Sequence, residues 1–276
     1  MMRRPQAPEM AMEPTASMAL RAARKAGDLI VRASDDMDRV GYKAKAAADF
    51  VSEVDIAAEK EILYHLSKTY PEHRFECEES GLAGNEEAEY TWGIDPLDGT
   101  TNFLYDVPVF AVSIALASAE AIELGVVYEC GRDELFSAYQ GGGASLNGQA
   151  IKVAEQKNLK DSLLATGFPY YDFKRMQEFN AFLAKLYPST RGLRRMGSAA
   201  TDLAYVACGR FNAYFEYGLS PWDVAAGILL VQEAGGKVSD FKGESNYLFG
   251  SEIIASSSNI YDEFTSLLQE YLPSNA

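Results

Sequence analysis

Two aspartates three positions apart, Asp95 and Asp98, stand where a short apolar run gives way to Gly-Thr-Thr-Asn. The pattern predicts a strand that ends at Asp95, a turn that carries Asp98 and a helix that starts near Thr100. Both carboxylates can then face one point, which suits a hard cation with oxygen ligands. Gly99 permits close backbone approach, and its amide and that of Thr100 form an anion site at the helix N-terminus. The stretch therefore predicts a metal ion beside a bound phosphate.

A purely structural explanation also exists for this stretch. Asp, Gly and Thr are favoured in turns and helix caps for conformational reasons alone, so a bare Asp-x-x-Asp-Gly-Thr does not separate the two interpretations. The longer string Trp-Gly-Ile-Asp-Pro-Leu-Asp-Gly-Thr-Thr-Asn-Phe, from Trp92 to Phe103, is more specific. It resembles the signature of the inositol monophosphatase family, whose members are magnesium-dependent, lithium-inhibited phosphatases.

Two acidic motifs lie upstream. Glu78-Glu79-Ser80 stands 17 residues before Asp95, and adjacent glutamates are ordinarily surface charge. Ser52 and Asp55 have the spacing of a helix-capping pair. The same segments resemble the family's Glu-Glu-Ser element and its Asp-x-Val-Thr-x-x-Asp element, with Ser52 in place of the threonine. Each motif therefore has both a structural and a catalytic interpretation.

A second long motif lies downstream. Ser220-Pro221-Trp222-Asp223 has the N-cap serine, first-turn proline and acidic third position of a good helix start. Its continuation to Glu233-Ala234-Gly235-Gly236 resembles the family's second signature. The segment from Arg194 to Ala200 resembles the bacterial branch of the family, and the whole resemblance covers about Ser17 to Leu272.

The resemblance implies a role for each motif. The implied metal ligands are the carboxylates of Glu78, Asp95, Asp98 and Asp223 and the backbone carbonyl of Leu97. The implied catalytic residues are Thr100, which positions or deprotonates the attacking water, Asp55, which orients Thr100, and Glu79, which supports the ligands. The implied substrate contacts are Asp98, Gly99, Thr100, Gly197, Ser198, Ala199, Glu216 and Asp223. The implied cofactor is Mg²⁺, as two or three ions that Mn²⁺ can replace.

Elementary electrostatics favours a cation at such a site. Two unit charges about 4 Å apart repel by roughly 4 kcal/mol at an effective dielectric constant of about 20, so clustered carboxylates recruit divalent cations or take up protons. Oxygen-only ligation favours Mg²⁺ or Mn²⁺ over zinc. The two histidines, His65 and His73, lie near the end of a predicted helix, and we expect them to face solvent.

The substrate is the least determined part of the prediction. Glu216 alone has the pattern of an exposed strand residue, whereas the resemblance places it around an inositol ring. Carboxylates accept hydrogen bonds from neutral hydroxyls and repel further phosphates. We therefore expect a polyol monophosphate, which the family resemblance implies is inositol 1-phosphate. Fructose 1,6-bisphosphate and 3′-phosphoadenosine 5′-phosphate are the alternative substrates, because enzymes that act on them share the metal core. A regulatory partner of the transcription machinery is the alternative from another functional class.

Composition narrows the function classes. The chain has 276 residues, of which 47% are hydrophobic, and its net charge of −15 argues against direct binding to nucleic acid or anionic membrane. Three widely spaced cysteines are typical of reduced thiols, and the sequence predicts a cytoplasmic protein without a membrane span or secretory signal. The family resemblance adds the expectation of a homodimer.

The predicted elements give an α/β (α+β) fold. We expect helices near 17–33, 55–70, 175–186, 199–208 and from 220 onward, strands near 111–118, 124–129, 135–139, 162–167 and 213–217, and a loop or edge segment at 42–48. Gly141-Gly142-Gly143 is predicted to be a turn. The implied fold is the sugar-phosphatase type, a layered α-β-α-β-α sandwich with an antiparallel sheet first and a mixed sheet second. We expect a flexible tail at 1–14 and two integrated halves, 15–155 and 156–276.

Overall fold

The structure, a computed structural model, describes residues 14–35, 40–46, 49–168 and 173–274. The predicted N-terminal tail lies outside these residues except for Pro14, which instead begins the first helix. The α-helices are α1 Pro14–Ser34, α2 Glu53–Thr69, α3 Thr100–Leu104, α4 Met176–Ser189, α5 Ala199–Ala207, α6 Pro221–Glu233 and α7 Tyr261–Tyr271.

The strands form three sheets. They are β1 Tyr42–Ala46, β2 Asp49–Ser52, β3 Arg74–Cys77, β4 Gly81–Gly84, β5 Thr91–Asp98, β6 Ala111–Ala117, β7 Ile122–Glu129, β8 Glu134–Tyr139, β9 Gly143–Leu146, β10 Gln149–Ala150, β11 Leu163–Thr166, β12 Gly192–Arg194, β13 Ala213–Tyr217, β14 Gly236–Ser239 and β15 Glu252–Ser257. The large sheet has the order β10-β9-β8-β7-β6-β5-β3-β4, the second β12-β11-β13-β15-β14, and β1 pairs with β2.

The helices and the two larger sheets stack as the predicted α-β-α-β-α sandwich. One hydrophobic cluster joins α1 and α2 to one face of the eight-stranded sheet. A second cluster places α5 and α6 between the two sheets, and a third places α4 and α7 on the outer face of the five-stranded sheet. The predicted fold class is therefore confirmed. Of the helices within the described ranges, none is long and apolar enough to cross a membrane.

The first sheet differs from the predicted antiparallel one at a single pair of strands. All its other neighbours are antiparallel, but β3 runs parallel to β5, with Cys77 opposite Ile94. The chain reverses at Gly81 to form the edge strand β4 and then returns on the other side of β3. Because β5 follows this second reversal, it has the same direction as β3. The predicted mixed pairing of the second sheet is confirmed.

Helix α1 packs closely because its inward face is made of small residues. Its buried positions recur every three or four residues, which is the period of one helix face. A Cβ atom at Gly27 would lie 2.2 Å from the ring of Tyr128, so only glycine allows this approach between α1 and β7. The prediction of a helix near 17–33 is confirmed, with three more residues at its N-terminal end.

The predicted loop or edge segment at 42–48 is a strand over Tyr42–Ala46. It forms a separate two-stranded antiparallel sheet with β2, in which Tyr42 pairs with Ser52. This hairpin brings Ser52 directly to the start of α2. The side chains of Lys43 and Lys45 lie outside the described part of the chain.

The expectation of a solvent-facing His73 is wrong. Its side chain is buried, and its Nδ1 accepts a hydrogen bond of 3.0 Å from the indole Nε1–H of Trp92. The ring also stacks on Tyr70, with 4.9 Å between the ring centroids. After α2 the chain folds back against the sheet at once, which covers a residue that the helical pattern left at the surface.

The predicted turn at Gly141-Gly142-Gly143 is confirmed, and it fixes the end of α6. The backbone N–H groups of Gly141 and Gly143 donate to the two carboxylate oxygens of Glu233 at 2.8 and 2.7 Å. The other end of α6 carries Asp223. Strands β12, β14 and β15 and helix α7 were not predicted from the sequence pattern, and they complete the second sheet and its outer layer.

Candidate active site

The turn between β5 and α3 is the centre of the site. Strand β5 extends through Asp98 rather than ending at Asp95, but its pairing with β6 is irregular between these two residues. Within this break, an Asp95 Oδ1 accepts the N–H of Leu97 at 3.0 Å. Gly99 follows with φ of 94°, and a Cβ there would lie 3.0 Å from the carbonyl oxygen of Val109. The turn therefore requires glycine at this position.

Asp55 makes two contacts, the helix cap that its spacing predicted and the bond to Thr100 that the family resemblance implied. Its Oδ2 accepts the backbone N–H of Ser52 at 2.9 Å as part of the capping box of α2. Its Oδ1 accepts the hydroxyl of Thr100 at 2.8 Å, across a separation of 45 residues. Because the capping box holds one oxygen, the other is fixed toward Thr100. Burial raises the pKa of Asp55, which makes the carboxylate a stronger proton acceptor than an exposed one.

The parallel pairing of β3 with β5 places the Glu-Glu-Ser turn beside Asp95. The N–H of Glu78 donates to the carbonyl of Ile94 at 3.1 Å, and the Glu78 side chain is hydrogen-bonded to Asp95. The N–H of Glu79 donates to a carboxylate oxygen of Glu59 at 2.9 Å. Glu59, which was not predicted as a site residue, holds the Glu-Glu-Ser turn through this bond. The available signal was its spacing from Asp55, because residues four apart share one face of a helix.

Asp98 joins the two halves of the chain. Its Oδ2 accepts the hydroxyl of Ser198 at 2.6 Å and the N–H of Ala200 at 2.7 Å, so it sits at the N-terminus of α5. Ala199 also donates to it through its backbone. These bonds stabilise the ionised form. The predicted contact segment therefore lies against Asp98, one of the predicted metal ligands.

Asn102, which the sequence analysis did not single out, holds the same junction from the side of α3. Its amide nitrogen donates to the carbonyl oxygens of Val109 and Met196 at 2.7 and 2.8 Å. Gly197 follows with φ of 89°, and a Cβ there would lie 2.9 Å from that amide. The β5–α3 turn and the 196–198 segment are therefore packed backbone against backbone.

Asp223 enters the site from α6. It is the third helical residue, and its Oδ2 accepts the N–H of the N-cap residue Ser220 at 2.8 Å. The hydroxyl of Ser113 on β6 donates to the carbonyl of Trp222 at 3.2 Å, which ties this helix start to the first sheet. The helix-cap interpretation of Asp223 is thus correct, and it leaves the second carboxylate oxygen available.

The four predicted ligand carboxylates influence one another strongly. Burial raises the pKa of Asp95 well above its usual range, and the charges of Glu78, Asp98 and Asp223 raise it further. Burial raises the pKa of Asp223 despite the Ser220 bond that lowers it, and the charges of Asp98, Glu78 and Glu216 raise it further. Burial likewise raises the pKa of Asp98 to about 6. An oxygen-only cluster in this electrostatic state fits a hard divalent cation.

The predicted ligand carboxylates are not yet arranged around a single metal position. Among the residues with described positions, no group of three or more His, Cys, Asp or Glu is arranged to hold a metal ion. The carbonyl of Leu97, the fifth predicted ligand, lies 3.0 Å from the hydroxyl of Thr100. Ligation by these groups, and the supporting role of Glu79, therefore stay predictions that the chemistry of the donor set favours.

The strand pattern alone predicted an exposed Glu216, but the structure buries its side chain. It receives a short hydrogen bond from the hydroxyl of Tyr214, and a Cβ on Gly167 would overlap its carboxylate. Burial raises its pKa to about 7, and the nearby charge of Asp98 adds to the shift. Glu216 thus lies within electrostatic reach of the predicted ligands.

These pKa shifts predict a pH-dependent stability in the absence of metal. Asp98, shifted from 3.8 to about 6, and Glu216, from 4.5 to about 7, bind protons more tightly when folded. Their contributions are complete below about pH 4 and are lost as the pH rises through about 6 to 7. We expect the Tm in EDTA to fall between pH 5 and pH 8, measured by circular dichroism. If the Tm of Asp98→Asn falls over this pH range as much as the Tm of the wild-type protein, the assignment to Asp98 is wrong.

Known proteins resemble this chain over nearly its whole length. Residues 11–272 match the model of the inositol monophosphatase family. The chain is 46% identical over 266 residues to Nus factor SuhB of Pseudomonas aeruginosa, which covers 95% of this chain and 98% of that protein.

Solved structures show the same similarity. The extragenic suppressor protein suhB from Bartonella henselae has a TM-score of 0.90 and 40% identity, covering 94% of this chain and 99% of that one. An inositol monophosphatase from Anabaena has a TM-score of 0.83 and 38% identity, covering 94% and 96%. With the motifs joined in one site and the match extending over nearly the whole chain, this protein belongs to the inositol monophosphatase family.

Proposed function

We propose that this protein is a magnesium-dependent phosphomonoesterase that hydrolyses inositol 1-phosphate to inositol and phosphate. The observation that carries the proposal is the proximity of four carboxylates, from three segments of the chain, to one another and to the Thr100–Asp55 pair. Burial and mutual repulsion raise the pKa values of three of them, Asp95, Asp98 and Asp223. Such a cluster needs positive charge to be ionised at neutral pH.

The proposed ligands are Glu78, Asp95, Asp98, Asp223 and the carbonyl oxygen of Leu97. When bound, Mg²⁺ supplies charge neutralisation for the phosphate and lowers the pKa of a coordinated water. We propose two or three ions, Mn²⁺ as a working substitute and inhibition by lithium, in keeping with the family resemblance.

Thr100 and Asp55 are placed to orient the attacking water. The hydroxyl of Thr100 lies within hydrogen-bond distance of both Asp55 Oδ1 and the Leu97 carbonyl, yet it has one proton. If the Leu97 carbonyl binds a cation, it no longer accepts this hydrogen bond, and the Thr100 hydroxyl donates to Asp55. The oxygen of Thr100 then accepts a hydrogen bond from the attacking water and orients it.

Glu216 supports a polyol as the leaving group. Its carboxylate accepts hydrogen bonds from neutral hydroxyls, whereas a second phosphate next to it and Asp98 would be repelled. The segment Gly197-Ser198-Ala199, held against the turn by Asn102, forms the proposed wall on the other side. This arrangement favours a monophosphate over a bisphosphate.

A substrate panel tests the proposal. Phosphate release would be measured with Mg²⁺ for inositol 1-phosphate, fructose 1,6-bisphosphate and 3′-phosphoadenosine 5′-phosphate. We expect the highest kcat/KM for inositol 1-phosphate. A higher value for either bisphosphate would overturn the substrate assignment but not the metal-dependent chemistry.

Glu216→Gln is expected to raise the KM for inositol 1-phosphate about tenfold, because an amide is a weaker acceptor for substrate hydroxyls than a carboxylate. The Mg²⁺ concentration for half-maximal rate should change little, since Glu216 is not a proposed ligand. Steady-state kinetics at varied substrate and varied Mg²⁺ measure both quantities. If the KM is unchanged and the Mg²⁺ concentration for half-maximal rate rises, Glu216 acts on the metal and this assignment is wrong.

A second candidate function is that of a transcription-associated binding protein. It is favoured by the name Nus factor SuhB of the Pseudomonas aeruginosa relative. Catalysis and binding can coexist, so the test uses the Asp95→Asn protein. If binding is separate from catalysis, this variant retains purified bacterial RNA polymerase in a pulldown as well as wild type does. If neither the wild-type protein nor Asp95→Asn retains RNA polymerase, this second function is wrong.

Two wider properties also belong to the proposal. We infer a homodimer in the cytoplasm, from the family resemblance and from the reduced-thiol pattern of Cys77, Cys130 and Cys208. Light scattering coupled to size-exclusion chromatography tests the dimer, for which the expected mass is twice 30.3 kDa. A monomeric mass would contradict it.

A further inference from the structure

Helix α2 carries a second buried carboxylate one turn after Asp55. The side chain of Glu59 is 3% exposed, whereas glutamate is almost never fully buried unless it has a partner. Burying a carboxylate destabilises a protein unless its oxygens receive hydrogen bonds. Its neighbours on the buried side of the helix include Ala58 and Ile62, so an apolar side chain would suit this position for packing alone. The reason for a glutamate must therefore come from what it contacts.

Glu59 contacts the turn that follows β3. Its Oε2 accepts the backbone N–H of Glu79 at 2.9 Å, across a separation of 20 residues. The preceding N–H, that of Glu78, donates to the carbonyl of Ile94 at 3.1 Å and is the last bond from β3 toward β5. Because a buried backbone N–H needs an acceptor, the next one along the chain depends on the helix. Glu59 thus holds the chain where pairing with β5 ends.

Two carboxylates of α2 therefore hold two turns of the proposed metal site. Asp55 accepts the hydroxyl of Thr100 at 2.8 Å in the β5–α3 turn, and Glu59 accepts the N–H of Glu79 in the turn after β3. Residues four apart lie on one face of a helix, so a single element fixes both turns relative to each other. The proposed ligand Glu78 is the residue directly before the N–H that Glu59 holds.

We propose that Glu59 is a positioning residue, which fixes the place of the Glu78 carboxylate among the metal ligands through its bond to the N–H of Glu79. The inference rests on the proposed metal-dependent function. Glu59 thereby determines how tightly the site binds divalent cations. Groups that orient metal ligands from behind have this effect in general, and their loss typically weakens metal binding by about 10- to 100-fold.

Two conservative variants separate the hydrogen bond of Glu59 from its charge. Glu59→Gln keeps the length of the side chain and an oxygen that accepts the N–H of Glu79, but it has no charge. Glu59→Asp keeps the charge, but its shorter side chain draws the oxygen away from that N–H. If the hydrogen bond is what positions the ligand, Glu59→Asp loses cation affinity and Glu59→Gln retains it. If the negative charge alone attracts the cations, the order is reversed.

The measured quantity is the apparent Kd for Mn²⁺ without substrate, obtained from the electron paramagnetic resonance signal of the free ion. For Glu59→Asp we expect a Kd about tenfold above that of the wild-type protein, the lower end of the range for groups that orient ligands. For Glu59→Gln we expect a value close to wild type. The Mg²⁺ concentration for half-maximal phosphate release should follow the same order, while kcat at saturating Mg²⁺ stays close to wild type in both variants.

Glu129→Asp is the matched control. Glu129 is also a buried glutamate whose Oε2 accepts one backbone N–H, that of Arg132, at 2.9 Å. This bond lies in the turn after β7, outside the two turns that α2 holds. The control should keep the wild-type Kd for Mn²⁺ even if its Tm falls. If Glu59→Asp does not fold, Glu59→Gln carries the test alone, because a Kd raised about tenfold in that variant would assign the effect to charge and overturn the inference.

The outcomes separate this inference from the proposed function. A wild-type protein that binds no Mn²⁺ and releases no phosphate with Mg²⁺ refutes the proposed function, and this inference with it. An active wild-type protein that binds Mn²⁺, with the same Kd in Glu59→Asp, overturns this inference alone. An equal rise of the Kd in Glu129→Asp would also overturn it, because the effect would then be a general consequence of destabilisation.

Discussion

Replacing Asp95 by asparagine is expected to abolish phosphate release, with kcat/KM lowered by at least about 10³-fold, while the protein stays folded. Asp95 is 2% exposed and is surrounded by the charges of Glu78, Asp98 and Asp223. Removing its charge weakens cation binding. The same change relieves repulsion among carboxylates, so the metal-free variant should have a higher Tm than metal-free wild type at pH 8.

The opposite signs of these two effects make the prediction specific. A variant that is inactive merely because it is misfolded would have a lower Tm. Asp240→Asn serves as a control, since it alters a buried aspartate outside the site and should keep wild-type turnover. Near-normal phosphatase activity in Asp95→Asn would show that the proposed site is wrong.

Thr100→Ala is expected to lower kcat about 10²-fold, the lower end of the range for groups that assist proton transfer. Its hydroxyl is the link between Asp55 and the position proposed for the attacking water. Because Thr100 is not a proposed ligand, the Mg²⁺ dependence should change much less than kcat.

Thr100→Ser is the matched variant, because it restores the hydroxyl without the methyl group. It should recover most of the lost kcat. Steady-state kinetics at saturating substrate and varied Mg²⁺ separate the two effects. An equal loss in Thr100→Ser and Thr100→Ala would exclude the hydroxyl as the working group.

Much of the site was predictable because its residues lie in local patterns. The β5–α3 turn follows from Asp95, Asp98 and Gly99, and the helix start at Asp223 follows from the capping rules. Asp55 shows why local chemistry and function agree here. One of its carboxylate oxygens caps α2, and this bond aims the other at Thr100.

The residues that were missed act across the chain. Asn102 donates to the carbonyl of Met196 across a separation of 94 residues, and no local pattern encodes such a contact. Glu216 was expected at the surface from its strand alone, because single-strand alternation does not reveal that α5 packs against β13. His73 was misplaced for the same reason, since its partner Trp92 lies on another element.

Strand direction was the remaining difference in the fold. The antiparallel meander from β6 to β9 follows from alternating strands and short turns. The parallel pairing of β3 with β5 depends on where the short edge strand β4 inserts, and its four residues carry little hydrophobic pattern. This pairing nevertheless builds part of the proposed metal site, because it places Glu78 beside Asp95.

The central claim is that the carboxylate cluster works by binding Mg²⁺ to hydrolyse a phosphate monoester. Its most direct test is phosphate release from inositol 1-phosphate by the purified wild-type protein, first in excess EDTA and then with Mg²⁺ added back. We expect no release in EDTA and a rate that rises with Mg²⁺ and saturates in the micromolar to millimolar range, which is typical of an ion held by a few carboxylates, water and substrate phosphate. Full release in excess EDTA would contradict the claim.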